Sequence, residues 1–188
     1  MPASAITDRL RDASPRDKAR LAGVLYLLAI LMGGGAVFVG GKVGSVAYFI
    51  AILCNVAVAL LFYALLKPAH RSLALLATCL GLATSGIGVL RWHPWGVDVG
   101  MIFFGSYCLL IGYLIFKSPF LPRLLGALML FAGVAWLTFL LPLLASHLAP
   151  YNLATGFLGQ AALMLWLLVK GVNAQRWREQ ARAAGARQ

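Results

Sequence analysis

The chain has 188 residues, of which 62% are hydrophobic and 11% charged, with a formal charge of +11 and a mean hydropathy of +0.88. Soluble domains carry roughly a quarter charged residues, so this chain lacks the polar surface to cover a globule in water. A soluble enzyme, a secreted disulfide scaffold and a disordered tail are excluded, and an integral membrane protein remains.

Residues 1–13 form a short segment in which Ile6 and Leu10 stand among charges. Ser14-Pro15-Arg16-Asp17 reads as a helix start. Ser caps, Pro suits the first helical position, and Asp favours the positive end of the helix dipole. Four uncharged runs follow: Leu21–Gly41 with 21 residues, Val43–Leu66 with 24, Ser72–Leu90 with 19 and Val99–Phe116 with 18. A bilayer core about 30 Å thick needs about 20 helical residues, so each run crosses once. Helices are required because lipid offers no partner to an open backbone.

The run Leu124–Val169 has 46 residues, and His147 is its one side chain of a type that ionises near neutral pH. As one helix it would reach about 69 Å, roughly twice the bilayer core. It must fold into two spans, with the break at Ala145–Asn152, where Ser146, His147, Pro150 and Asn152 cluster. Pro142 is expected to kink the outer end of the fifth span. The expectation is therefore an all-α, six-span bundle over 14–170, with spans at 21–39, 45–66, 72–90, 99–116, 124–144 and 153–170, and a basic tail over 171–188. Cleavage of the first span as a signal peptide is disfavoured. Asp8, Asp12 and Asp17 precede it, and its apolar run continues past the small residues Gly33–Ala36.

Fourteen of the sixteen Lys and Arg fall on one side of this plan: five before the first span, Lys67 and Arg71, Lys117 and Arg123, and five from Lys170 onward. Four acids share that side, leaving +10. Lys42 and Arg91 with Asp98 leave +1 on the other. Positive charge stays cytoplasmic, so both termini are expected inside. The basic tail, with Trp177 near the interface, is expected to attract anionic lipid headgroups. Nucleic acid is not an expected partner, because no basic face is interleaved with aromatics.

A weak threefold pattern runs through the spans. Arg20-Leu21-Ala22-Gly23 lines up with Arg123-Leu124-Leu125-Gly126, and Arg71 with Ala74 gives a poorer third copy. Tyr63/Lys67, Tyr113/Lys117 and Trp166/Lys170 close the even spans. Three related hairpins would produce this pattern. Placing basic and aromatic residues at interfaces would produce it as well.

Apart from Lys170, the terminal residue of the sixth, no Asp, Glu, Lys, Arg or His lies inside a predicted span, which argues against proton or ion pathways. His70, His93 and His147 sit in loops or at span ends, so an embedded bis-histidine haem is not expected, and no other cofactor is implied. Asn55 and Gln160 fall near mid-depth and should face protein, since an uncompensated amide in hydrocarbon costs several kcal/mol. Tyr48, Asn55, Ala59 and Phe62 share one helical face. This polar patch reads either as interhelical bonding or as the wall of a substrate cavity that would include Tyr107. Thr78, Gly81, Ser85 and Gly88 share a face of span three, as Gly105, Cys108 and Gly112 do on span four, and both read as contact seams. Gly33-Gly34-Gly35 either packs tightly or loosens the outer end of span one. Cys54, Cys79 and Cys108 are odd in number, lack CxxC spacing and read as buried free thiols.

On the outer face, His93, Asp98 and His147 could ligate a metal or perform acid–base chemistry if loops three and five meet, with Tyr151 and Asn152 nearby. Trp92 and Trp95 equally suit an aromatic belt, and no HExxH-type spacing supports a metal site.

Several blocks together carry a family resemblance. They are Ala19–Leu28, Ala59–Pro68 followed by Arg71–Leu76, Phe103-Phe104-Gly105, Gly112–Ser118, Phe120–Gly126 and Leu165–Asn173. The chain resembles the bacterial domain of unknown function 4386 family of integral membrane proteins from Ala19 to Trp177. The resemblance implies a multi-span protein of the bacterial cytoplasmic (inner) membrane, and it implies no activity. Two departures stand out: the connection between spans one and two is shorter than in typical members, and Tyr107 stands where members often carry His. The leading expectation is a non-enzymatic structural, accessory or lipid-interacting module, with a membrane-protein partner or a second copy as possible companions. The alternatives are a binder or transporter of a small apolar molecule, and an outer-face metal-dependent enzyme using His93, His147 and Asp98.

Overall fold

A computed structural model describes residues 14–90 and 99–186. Among these residues the chain forms eight α-helices: α1 (Pro15–Val39), α2 (Gly41–Leu66), α3 (Arg71–Leu90), α4 (Val99–Lys117), α5 (Arg123–Leu137), α6 (Pro142–Leu148), α7 (Tyr151–Val169) and α8 (Ala174–Gly185). Six are long and apolar enough to cross a membrane: α1 to α4, α5 with its 3-10 extension to Leu140, and α7. Each spanning helix packs on its neighbours in sequence, and α7 returns to α1, so the six close into a ring. Large apolar side chains point outward. Phe38, Leu143 and Leu124 are 91%, 80% and 70% exposed, as lipid-facing positions should be in a bundle whose apolar surroundings replace water.

Local chemistry sets the ends. The Ser14 side chain accepts from the Asp17 N–H, and Pro15 opens α1. His70 Nδ1 accepts from the Leu73 N–H and caps α3. Gly40 alone joins α1 to α2, at φ 61° and ψ −169°, and Gly41 follows at φ 56°. Side-chain-bearing residues rarely adopt such angles, so the glycine pair permits this tight reversal.

The fifth span departs from expectation. Pro142 does not kink a helix running to 144. Instead α5 ends at Leu137, a 3-10 turn covers Thr138–Leu140, and Pro142 starts the separate α6. Leu141 is extended, at φ −115° and ψ 96°. Proline disfavours the helical region for the residue before it and supplies no N–H, so it suits a helix start better than a helix interior. Asn152 ties this corner together: its amide donates to Thr138 Oγ1 at 3.1 Å and to the Ala145 carbonyl at 3.4 Å, while its Oδ1 accepts from the Leu153 N–H.

Packing differs sharply between the two halves of the ring. In the half toward the basic ends, Leu65, Leu66, Ile111, Leu114, Ile115, Met129, Leu163 and Leu167 are fully buried and fill the centre. There α4 and α5 meet along a reciprocal glycine seam. A Cβ on Gly112 would stand 2.9 Å from the Gly126 carbonyl oxygen, and one on Gly126 would stand 2.8 Å from that of Gly112. Gly105 and Gly133 repeat the relationship one heptad on, at 3.0 and 2.9 Å. Small residues let backbones approach in this way.

The C-terminal segment folds back under this packed half. Asn173 caps α8 by accepting from the Arg176 N–H, and its own N–H donates to the Phe120 carbonyl. The Trp177 indole donates to the Leu65 carbonyl at 2.8 Å. Of the three thiols, Cys54 and Cys108 are buried, whereas Cys79 is exposed on the outer surface rather than buried as expected.

Candidate functional site: a cavity in the open half of the ring

The other half of the ring is hollow. A cavity of about 1390 Å³ runs from a floor at Tyr26, Ala59, Tyr107 and Gln160 to the α1–α2 connection at Gly40–Lys42, and all six spans line it. Glycine composition creates part of this space. A Cβ on Gly34, which lines the cavity, would meet nothing within 4 Å, and neither would one on Gly35 beside it. The Gly33–Gly35 stretch therefore does not pack tightly, and Gly33 and Gly34 leave wall open to the cavity.

The lining is mostly apolar and aromatic. Trp136 is its centre of contact: its ring lies 5.6 Å from Phe104, 5.9 Å from Phe139 and 5.5 Å from Phe157 between centroids. Phe104 in turn stacks on Tyr107 at 6.2 Å. The indole edge rests on α7 where Gly156 leaves room, since a Cβ there would stand 2.8 Å from Trp136 Nε1. Gly81 makes similar room for Tyr107, whose ring would lie 3.3 Å from an added Cβ.

Three of the lining residues carry buried polar atoms with no hydrogen-bond partner: Tyr107 Oη, Trp136 Nε1 and Gln160 Nε2. The residues are 6%, 4% and 3% exposed. A buried donor left unpaired costs about 1–3 kcal/mol, and native proteins keep few of them. Three around one cavity are a concentration that calls for a cause. The indole and amide N–H groups only donate, and the phenol can donate or accept. Among the described residues the floor and inner walls bring no formal charge, while Lys42 stands at the rim.

The residues singled out in the sequence fall into three groups. Asn55, Tyr107, Ser85 and Gln160 all line this cavity. Asn55 is half-buried, and the Ser85 hydroxyl donates back to the Gly81 carbonyl. His147 lies in α6, with Nδ1 2.8 Å from the Leu143 carbonyl. His93 and Asp98 lie outside the described residues. Among the described residues no three His, Cys, Asp or Glu side chains gather as metal ligands. Sequence reading passed over Trp136 and Tyr26. The signal for Trp136 was a tryptophan within an apolar run rather than beside a basic residue.

The family profile described as Domain of unknown function (DUF4386) matches residues 83–171, which covers α4 to α7 and the end of α3. An uncharacterized protein of Archaeoglobus fulgidus is 28% identical over 134 residues, covering 67% of this chain and 82% of the relative. No solved structure matches. The family resemblance read from the sequence thus meets a profile match on the half of the chain that supplies Tyr107, Trp136 and Gln160.

Proposed function

We propose that this multi-pass membrane protein is a non-enzymatic binder of a small, largely apolar molecule that bears an uncharged hydrogen-bond acceptor, such as a carbonyl. The observation that carries the reading is that three residues lining one apolar cavity, Tyr107, Trp136 and Gln160, each bury a polar atom with no partner. An acceptor brought to any of these groups by a small side-chain movement would satisfy a donor that otherwise stays desolvated and unpaired. An apolar body suits the Phe104, Phe157 and Ile52 walls, and sites of this kind join a mainly hydrophobic lining to a few fixed polar groups. A charged ligand fits the floor poorly, because no described residue supplies a counter-charge there and burying an unpaired charge is costly.

The proposed setting is a bacterial cytoplasmic membrane, with both termini and the packed half of the ring toward the cytoplasm. The fourteen basic residues on that side support this orientation. The cavity then faces outward. The test is thermal unfolding of the full chain in detergent micelles, with either a long-chain alkyl ketone or the hydrocarbon of matched length. A ligand that binds the folded state raises its stability. The ketone should raise the midpoint and the hydrocarbon should not; equal responses to both would contradict the proposal.

A further inference from the structure

A second hollow, of about 520 Å³, lies at the opposite end of the ring. It is an open depression bordered by the first turn of α1, the α4–α5 connection, the end of α7 and the start of α8. Three cations line it: Arg16, Lys170 and Arg176. Each is positioned by a different contact. The Arg16 stem passes Gly171, where a Cβ would stand 3.2 Å from Arg16 Cγ, and Gly171 holds φ +67°. The Lys170 ammonium sits 4.7 Å over the Trp166 ring. The Arg176 guanidinium donates to the Pro119 carbonyl at 3.3 Å.

The described acids are engaged elsewhere. Asp17 accepts from the Ser14 hydroxyl and Glu179 from the Gln175 amide. Three cations thus share one hollow without a carboxylate from the described residues. Arginine forks match phosphate oxygens, and basic pockets at the ends of membrane helices hold anionic headgroups. Trp166 and Lys170 mark the level of the membrane boundary, because they end the spanning helix α7.

We infer that this hollow is a binding site for the phosphate of an anionic phospholipid, held among Arg16, Lys170 and Arg176, with the acyl chains leaving past Trp166. This site is separate from the large cavity and does not depend on its ligand. A free phosphate offers the same oxyanion but no chains to lie along the Trp166 ring at the membrane boundary, so the lipid is the source assigned.

The test is native mass spectrometry of the full chain released from micelles doped with equal phosphatidylglycerol and phosphatidylcholine. The wild type should retain phosphatidylglycerol at least tenfold over phosphatidylcholine. The triple variant Arg16→Gln, Lys170→Gln, Arg176→Gln should lose that preference at least tenfold. A control triple at Arg71, Arg178 and Arg182, also to Gln, should keep it. Should the first triple fail to fold, Lys170→Gln alone, at an exposed position, should lower the preference at least threefold. The inference is overturned by equal loss in both triples, by unchanged selectivity in Lys170→Gln, or by no preference in the wild type. It is also overturned if inorganic phosphate at the lipid's concentration displaces the adduct, since that would make free phosphate the ligand.

Discussion

Gly112 of α4 and Gly126 of α5 each stand where the other's carbonyl oxygen would touch an added Cβ, at 2.9 and 2.8 Å. The contact is backbone on backbone, so no flexible side chain can yield. Gly34 of α1 is the opposite case: it lines the cavity, and its Cβ would meet nothing within 4 Å. The same substitution should therefore have opposite signs. Gly112→Ala should lower stability by about 1–3 kcal/mol through overpacking. Gly34→Ala should raise it by about 0.5–1 kcal/mol through helix propensity. Denaturant unfolding of both variants in micelles checks the pair.

Gln160→Leu separates a ligand-binding amide from a structural one. The Nε2 group is buried without a partner, so an apolar side chain of similar size removes a desolvation penalty of about 1–3 kcal/mol. The ligand-free variant should be at least as stable as the wild type and should lose the ketone-induced rise in midpoint. A clear drop in ligand-free stability would instead identify Gln160 as a bond between helices.

Trp177→Phe tests the strap at the base of the ring. The substitution keeps an aromatic ring but removes the hydrogen bond to Leu65. The expected cost is about 0.5–1.5 kcal/mol, concentrated in α8. Faster amide exchange over 174–185, with the spans unaffected, is the expected signature.

Orientation can be read chemically. In a background where Cys54, Cys79 and Cys108 are replaced, Lys42→Cys and Gln175→Cys place thiols at opposite ends of the ring. In intact bacterial cells a membrane-impermeant maleimide should label position 42 and not position 175. The reverse result would refute the proposed orientation.

Charge and length made the span plan legible. Basic residues such as Arg20, Lys67, Arg71, Lys117, Arg123 and Lys170 bracket the apolar runs, and 46 residues cannot form one crossing. The mid-depth amides Asn55 and Gln160 were legible for the same reason, since hydrocarbon makes any polar group conspicuous. A cavity beside Asn55, Gln160 and Tyr107 was one of two readings of that patch, but its extent and its glycine walls were not legible. Gly112, which packs on backbone, and Gly34, which faces open space, look alike in sequence because the difference lies in what stands opposite. Trp136 reads as one more apolar residue until its unpaired indole is placed against Gly156. Pro142 signalled a disturbance, but whether a proline bends a helix or begins a new one depends on the conformation of the residue before it, Leu141.

The claim that the hollow half of the ring is a ligand site is tested most directly by photo-crosslinking. An alkyl-chain benzophenone presents a ketone acceptor on an apolar body, and irradiation marks the residues around it. In the full chain in micelles, adducts should map to cavity-lining segments of α2, α4 and α7 around Asn55, Phe104 and Phe157, should be displaced by excess unlabelled ketone, and should fall in Gln160→Leu. Adducts confined to outward-facing positions such as Phe38, Leu124 and Leu143, and not displaced by excess ketone, would contradict the account.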